Sequence, residues 1–176
     1  ETDYQSEAAL EKAFIELLQQ QADEYLPLHT EAELISNLRK EIEKLNHIQF
    51  TNSEWNRFYK DILANQNNGI VEKTFLIQED NVQSFTFDDG HQDNVTIFDK
   101  KNVHNNYLQV INQYTPEGGA RENRYDVTIL VNGLPLVHVE LKRRGVPIRQ
   151  AFNQINRYQR ESFWSGTGLF EYVQIF

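Results

Sequence analysis

The chain has 176 residues, of which 39% are hydrophobic and 24% are charged, so it can build a substantial apolar core and is not wholly disordered. No apolar run approaches the roughly 18 residues that a membrane-spanning helix needs, so no membrane partner is expected. The absence of cysteine excludes disulfide bonds and thiolate metal sites, and it fits a cytoplasmic protein. Because residue 1 is not Met and the chain stops inside an apolar run, we expect residues 1–176 to be one domain from a longer multidomain protein.

The net charge of −9 argues at first against a nucleic-acid partner, but the charge is unevenly distributed. Residues 142–160 contain no acidic residue and six basic ones: Lys142, Arg143, Arg144, Arg149, Arg157 and Arg160. This segment is either a solvated helix face or a rim that binds phosphate groups. Because the rest of the chain is acidic, we expect residues 1–176 alone to bind DNA weakly.

Residues 6–20 are predicted to form a helix with Ser6 as its N-cap. Its buried stripe would consist of Leu10, Phe14, Leu17 and Leu18. Helical spacing places Glu7 within that stripe and Glu11 at its edge. Glu7 is therefore either a carboxylate that points inward or a first-turn acid favoured by the helix dipole.

The middle of the chain is predicted to be structural. The capping box from Thr30 to Glu33 opens a second helix, and Ser53 caps a third that ends at residues 67–69. Residues 73–78, 83–87 and 94–99 are predicted as short strands, and residues 106–114 as a longer strand. Nothing in these elements indicates chemistry.

Residues 126–142 alternate with a period of two, which is typical of a β-hairpin with two different faces. The apolar set is Val127, Ile129, Val137, Val139 and Leu141. The mostly polar set is Asp126, Thr128, His138, Glu140 and Lys142. Two carboxylates and an amine would thus share one face.

The turn of this hairpin tests that arrangement. A two-residue loop at Asn132 and Gly133 would place Asp126 and Glu140 on opposite faces. A three-residue loop over residues 131–133 would pair Asp126 with His138 and set Glu140 diagonally adjacent. Because the hydrophobic pattern normally decides register, we predict an odd-length or bulged connection.

A last helix is predicted from Pro147 to about residue 163, followed by a strand from residue 172. Its core-facing stripe would be Ile148, Ala151, Phe152, Ile155 and Phe163. Gln154 and Tyr158 are four residues apart on one flank of this stripe, where they either reach into a cleft or form an ordinary helix border. The sequence has no glycine-rich phosphate loop, so it does not bind ATP by that device.

The polar face of the hairpin has the groups that phosphodiester hydrolysis needs. Asp126 and Glu140 could bind Mg²⁺ together with the carbonyl oxygen of Leu141. Lys142 could orient the attacking water or stabilise the charged transition state. His138 would be either a substrate or water contact or, more simply, a cross-strand neighbour.

The pattern of Asp126, Glu140 and Lys142 resembles the PD-(D/E)xK nuclease superfamily, with Tyr125 where a proline often precedes the first acid. Residues 123–145 and 151–158 closely resemble the N-terminal nuclease domain of the type I restriction enzyme R (motor, HsdR) subunit. The Gln154 and Tyr158 pair matches the additional motif of the RecB-like branch, and residues 5–11 resemble the first helix of that family.

The resemblance implies an α/β (α+β) fold with a central mixed β-sheet flanked by helices. It also implies Mg²⁺-dependent cleavage of double-stranded foreign DNA in bacterial defence. ATP would be used only by missing motor domains, and the partners would be DNA and the methyltransferase and specificity subunits.

Carried over residue by residue, the resemblance makes Asp126 and Glu140 metal ligands, Lys142 the catalytic lysine, and Glu7 an outer-shell or additional metal acid. Gln154 and Tyr158 would support cleavage, and Arg143, Arg144, Arg149 and Arg157 would contact DNA. Two alternatives are a stand-alone repair or recombination nuclease of the same fold and a catalytically silent docking module.

Overall fold

The computed structural model describes residues 6–114, 125–143, 145–160 and 168–176. Its helices are α1 (Glu7–Gln19), α2 (Glu31–Asn46), α3 (Asn52–Phe58), α4 (Ile70–Gln78) and α5 (Ile148–Tyr158). Its strands are β1 (Glu24–Tyr25), β2 (Val82–Thr86), β3 (Gln92–Thr96), β4 (Leu108–Tyr114), β5 (Tyr125–Val131) and β6 (Leu134–Val139). The predicted α/β architecture with a central mixed sheet and flanking helices is confirmed.

The central sheet has the strand order β1–β4–β5–β6, with β1 parallel to β4 and the other neighbours antiparallel. Strands β2 and β3 form a separate antiparallel hairpin. The end of the chain joins the sheet through a parallel bridge between Val137 and Ile175. Of the strand predicted from residue 172, only this bridge at Ile175 is confirmed, and Tyr172 itself ends the 3₁₀ turn Leu169–Tyr172.

The core lies between the central sheet, the β2–β3 hairpin and helices α2 and α3. Its fully buried aliphatic side chains include Leu34, Leu38, Ile42, Ile97, Ile111, Leu130 and Leu134. An aromatic cluster at the β2–β3 hairpin extends this core: Phe50, Trp55, Phe58, Phe85 and Phe87. Burial of such large apolar surfaces is the main source of stability for the frame that carries the site.

Helices α1 and α2 begin at the capping residues that the sequence predicted. Ser6 caps α1, and Thr30 with Glu33 forms the predicted capping box of α2. Helix α3 begins earlier than predicted, because Thr51 rather than Ser53 caps it in a box with Glu54. A Ser, Thr, Asp or Asn close to another of the same set leaves the choice of cap to tertiary contacts.

The run predicted as a strand at residues 73–78 is wrong, because these residues belong to helix α4. The Glu72 carboxylate accepts a hydrogen bond from Gly69 N at 2.8 Å at the start of this helix. Lys73, Leu76 and Ile77 lie on one buried helical face. A short apolar run does not distinguish strand from helix by its periodicity alone. The other predicted strands are confirmed as β2, β3 and β4, within a few residues of their ends.

Two predicted helix stripes differ from the structure. Leu17 of α1 is 54% exposed, whereas Leu10, Phe14 and Leu18 are half-buried. On α5, Ile148 is 86% exposed and Phe152 is 63% exposed, so the predicted core-facing stripe is wrong at these two positions, whereas Ala151 and Ile155 are half-buried. Phe163, the last member of that stripe, lies outside the described residues. Tyr158 is instead the buried residue of α5, so the helix turns its Gln154 and Tyr158 flank towards the sheet.

No helix within the described part of the chain is long and apolar enough to cross a membrane.

Candidate active site

The β5–β6 hairpin combines a two-residue turn with a bulge. Asn132 and Gly133 form the turn with φ values of 50° and 84°, and Val131 pairs with Leu134 across it. The register then shifts between Ile129 and Leu130. Beyond the shift, Val127 pairs with Val139. The bulge therefore supplies the odd residue that the alternation requires, and Asp126 on β5 lies beside Glu140, which directly follows β6.

The predicted bulged connection is thus confirmed, but the predicted three-residue loop is wrong. His138 pairs with Thr128 rather than with Asp126. The Asn-Gly turn signal and the hydrophobic pattern were both correct, and the extra residue at Leu136 reconciles them. Pro135, next to that residue, is the local signal that could have located the bulge, because a proline within a strand lacks the N–H of a regular pair.

The turn is held in place by the side chain of Asn132, which is 1% exposed. Its Oδ1 accepts a hydrogen bond from Tyr107 N, and its Nδ2 donates to Ile97 O. A β-carbon at Gly133 would lie 2.6 Å from the Leu38 Cα, so only glycine allows this close approach to α2. These contacts fix the turn end of the hairpin, and the bulge then sets the register at the site.

The three predicted catalytic side chains come together at the open end of the hairpin. Asp126 Oδ2 accepts a hydrogen bond from Leu141 N at 2.8 Å. Lys142 Nζ lies 2.8 Å from Glu140 Oε1 and 3.2 Å from Leu141 O. The Glu140 side chain is fully buried, whereas that of Lys142 is 17% exposed. Two carboxylates, a carbonyl and an ammonium therefore share one small polar site.

Burial and mutual charge shift the pKa values of this group in different directions. Burial raises the pKa of Asp126 to about 6, although the hydrogen bond from Leu141 opposes that rise. Burial also acts to raise the pKa of Glu140, but interactions with His138 and Lys142 are stronger and lower it. Burial acts to lower the pKa of Lys142, but the hydrogen bond to Glu140 and the carboxylate charges raise it instead. At neutral pH the site therefore holds two carboxylates and a protonated lysine.

His138 lies behind Glu140, fully buried, with its Nε2 3.4 Å from Glu140 Oε2. Its ring lies in edge-to-face contact with the rings of Tyr125 and Tyr158. Tyr125, which stands where related motifs often have proline, thus contributes to the wall of the site. Sequence reasoning left His138 between two roles, and the structure makes it a buried cross-strand neighbour.

The Gln154 and Tyr158 pair forms one hydrogen-bonded unit. Gln154 Nε2 donates to the Tyr158 hydroxyl at 2.5 Å. Burial raises the pKa of Tyr158, and the charges of Glu140 and Asp126 raise it further. Tyr158 is therefore close enough to both carboxylates to sense their charge, a point that the spacing alone had left open between a cleft and a helix border. The part of the pair in cleavage stays a prediction.

Glu7 and Glu11 have different surroundings. Glu7 is exposed rather than buried in the helix stripe, and its Oε1 lies 3.5 Å from Arg143 N, next to the lysine. Glu11 accepts hydrogen bonds from the side-chain amides of Asn112 and Gln113 on β4. Gln113 has a φ of 54°, a distortion that places these neighbouring amides on the same acid. Sequence analysis missed this anchor, since no local pattern relates residues 11 and 113.

The basic residues predicted to contact DNA are partly accessible. Arg143 and Arg149 are exposed. Arg157 is half-buried, with its guanidinium 5.3 Å from the centroid of the Tyr158 ring. Arg144 lies outside the described residues.

The donor set fits a small hard cation. Among the described residues no three His, Asp or Glu side chains form a metal-binding group. The predicted ligands are instead two carboxylates and a backbone carbonyl, and Mg²⁺ typically takes one or two carboxylates and keeps several waters. Glu140 Oε1 and Leu141 O already converge on one positive charge, the Lys142 ammonium. These oxygen atoms are therefore arranged around a position that favours a cation.

Comparison with known proteins gives a consistent family. The model of the family described as "Type I restriction enzyme R protein N terminus" matches residues 4–176. The chain is 48% identical over 174 residues to the type I restriction enzyme EcoprrI endonuclease subunit of Escherichia coli. It is 36% identical over 178 residues to type I restriction enzyme endonuclease subunits of Staphylococcus saprophyticus and Staphylococcus aureus.

The matches cover 98% of this chain in each case, but 55% of the Escherichia coli protein and 18% of the staphylococcal ones. The chain thus spans about half the length of one curated relative and about a fifth of the others. The matched region includes the bulged hairpin, the segment that follows it, α1 and α5, and it therefore contains all the predicted site residues. This chain therefore belongs to the family of type I restriction enzyme R protein N-terminal regions.

Proposed function

We propose that this chain is the DNA-cleaving domain of a type I restriction enzyme R subunit. It would hydrolyse phosphodiester bonds of double-stranded DNA with Mg²⁺ held by Asp126, Glu140 and the carbonyl oxygen of Leu141. The observation that carries the proposal is the convergence of two acids and a lysine, brought by two strands whose register the bulge corrects. A structural hairpin has no need to bury a carboxylate pair at that cost in desolvation.

When bound, Mg²⁺ supplies Lewis-acid activation of water and neutralises charge on the phosphate. The chain supplies the rest. The hydrogen bond from Leu141 N to Asp126 holds one carboxylate in place, and burial holds the other. The pKa of Glu140 is lowered and that of Asp126 is about 6, so at neutral pH the pair is mostly ionised and suited to bind a cation.

Lys142 acts as a fixed positive charge rather than as a base. Because its pKa is raised by Glu140, it stays protonated at neutral pH. Its partly exposed ammonium can donate a hydrogen bond to a phosphate oxygen and stabilise the negative charge that develops during cleavage. Gln154 and Tyr158 form the wall next to this position and orient the scissile group.

The longer protein would provide what this region lacks. Its net charge of −9 is unsuited to holding DNA unaided, and Arg143, Arg149 and Arg157 offer only a local basic rim. We propose that ATP-driven motor domains and the methyltransferase and specificity subunits deliver the DNA in the bacterial cytoplasm. Target choice would reside in those subunits.

The test is to replace Asp126, Glu140 or Lys142 by Ala in the full-length protein assembled with its partner subunits. We expect DNA cleavage to fall by roughly 10²-fold or more, while ATP hydrolysis stays unchanged. The exposed Lys101→Ala variant, in the loop between β3 and β4, is the matched control and should cleave normally. Undiminished cleavage by K142A or D126A would refute the assigned roles.

A further inference from the structure

We propose that His138 is a positioning residue: its buried imidazole holds the Glu140 carboxylate in the orientation that binds a divalent cation. The inference rests on the proposed function, because it concerns the same cation site. It adds a residue outside the acid–acid–lysine motif.

The two oxygen atoms of Glu140 face different nitrogen atoms. Oε1 lies 2.8 Å from Lys142 Nζ, and Oε2 lies 3.4 Å from His138 Nε2. The side chains of Glu140 and His138 are both 0% exposed. A buried carboxylate needs polar partners to offset its lost hydration. Oε1 accepts a hydrogen bond from Lys142, whereas the contact of Oε2 with His138 is longer and lacks hydrogen-bond geometry, and the two together limit the rotation of the carboxylate.

The two partners differ in their freedom to move. Lys142 has a long flexible side chain that is 17% exposed, so its ammonium is free to move towards a phosphate. His138 is enclosed by aromatic rings, with ring centroids 5.3 Å away for Tyr125 and 5.9 Å away for Tyr158. Its backbone N also donates to Ile175 O at 2.9 Å. His138 therefore keeps its place beside Oε2 when Lys142 leaves Oε1.

The same contacts connect α5 with the cation site. Tyr158 is held by Gln154 and packs edge-on against His138, which in turn faces Glu140. A change at Tyr158 can thus disturb a metal ligand without touching DNA. Such outer contacts commonly change metal affinity by about 10–100-fold when they are removed.

The experiment measures Mn²⁺ binding to the full-length protein by calorimetry without nucleotide, and Asp126→Ala defines the binding that belongs to other sites. His138→Phe keeps a packed ring but loses the nitrogen, whereas His138→Gln keeps a nitrogen that can reach Glu140. We expect H138F to weaken the Asp126-dependent affinity about tenfold or more, and H138Q to stay within about threefold of the wild type.

Two further variants control for folding and packing. Thr128→Val alters the cross-strand partner of His138 and should bind Mn²⁺ like the wild type. If H138F does not fold, as checked by thermal unfolding, His138→Asn replaces it, because its amide is one methylene shorter than that of Gln. We then expect H138N to lose affinity and H138Q to retain it. In cleavage assays, H138F or H138N should raise the Mg²⁺ concentration for half-maximal rate more than it lowers the maximal rate.

The outcomes separate this inference from the proposed function. Equal Mn²⁺ binding by the wild type and D126A would overturn the proposed cation site and this inference with it. Asp126-dependent binding at wild-type affinity in H138F, or equal affinity in H138N and H138Q, would overturn the role of His138 alone.

Discussion

Asp126 Oδ2 accepts a hydrogen bond from the backbone N–H of Leu141 at 2.8 Å, so a carboxylate from β5 is tied to the backbone that follows β6. This bond spans two strands and places the side chain of Asp126 next to the segment that carries Glu140 and Lys142. The geometry of the acid pair therefore depends on the register of the hairpin rather than on either strand alone.

The pKa of Asp126 predicts a pH-dependent stability in the metal-free protein. Because burial raises this pKa from 3.8 to about 6, the folded state binds a proton that the unfolded state releases between those values. The contribution of Asp126 to the free energy of unfolding therefore falls as pH rises through about 4–6 and stays low above it.

Asp126→Asn removes this loss of stability at higher pH, because the amide does not ionise. We expect it to raise the free energy of urea unfolding at pH 7–8 by on the order of 1–3 kcal/mol, with a smaller gain near pH 4. A difference between D126N and the wild type that does not change from pH 4 to pH 8 would contradict the raised pKa.

The hydrogen bond between Gln154 and Tyr158 predicts non-additive effects on cleavage. Tyr158→Phe and Gln154→Leu each break the 2.5 Å contact, so each should slow cleavage about tenfold, and the double variant should be no slower than the worse single one. Initial rates on supercoiled plasmid DNA measure this. Asn153→Ala, at an exposed neighbouring position, is the control; multiplied effects in the double variant would show that the two residues act separately.

Because the hairpin turn packs closely against α2, we expect Gly133→Ala to destabilise the folded protein strongly. The residue has a φ of 84°, and the added Cβ would lie 2.6 Å from Leu38 Cα. We expect the free energy of unfolding to fall by roughly 3–4 kcal/mol, from left-handed strain together with steric overlap.

Gly90→Ala provides a matched comparison for this substitution. Its φ is 88°, but its Cβ would meet nothing within 4 Å, so it should cost only about 1 kcal/mol. Equal losses for G133A and G90A in thermal unfolding would argue against the close packing of the turn on α2.

We expect opposite phenotypes for substitutions at the two acids of α1, Glu7 and Glu11. Glu11→Ala breaks hydrogen bonds from Asn112 and Gln113, and we expect it to lower the free energy of unfolding by about 1.5–3 kcal/mol. Glu7→Ala should change stability by less than about 0.5 kcal/mol but slow cleavage about tenfold, because Glu7 lies beside Lys142. Unfolding and cleavage assays on both variants check this, and a normal cleavage rate for E7A would remove Glu7 from the site.

Much of this protein is decided by local sequence. Capping residues such as Ser6 and Thr30 set the starts of α1 and α2 because they satisfy the free backbone N–H groups of a first helical turn. The period-two pattern from Asp126 to Lys142 defined the hairpin, since alternate residues of a strand face opposite sides. The same pattern identified the acids, the lysine and the need for an odd or bulged connection.

Tertiary structure decided what local pattern leaves open. The bulge at Leu136, the burial of His138 and the link from Glu11 to Gln113 all depend on contacts between distant segments. The helical state of residues 73–78 and the exposed Ile148 and Phe152 depend on which surface each segment meets after folding. The sequence shows which side chains are apolar enough to be buried. Packing decides which of them are buried, because the free energy of burial depends on both surfaces that come into contact.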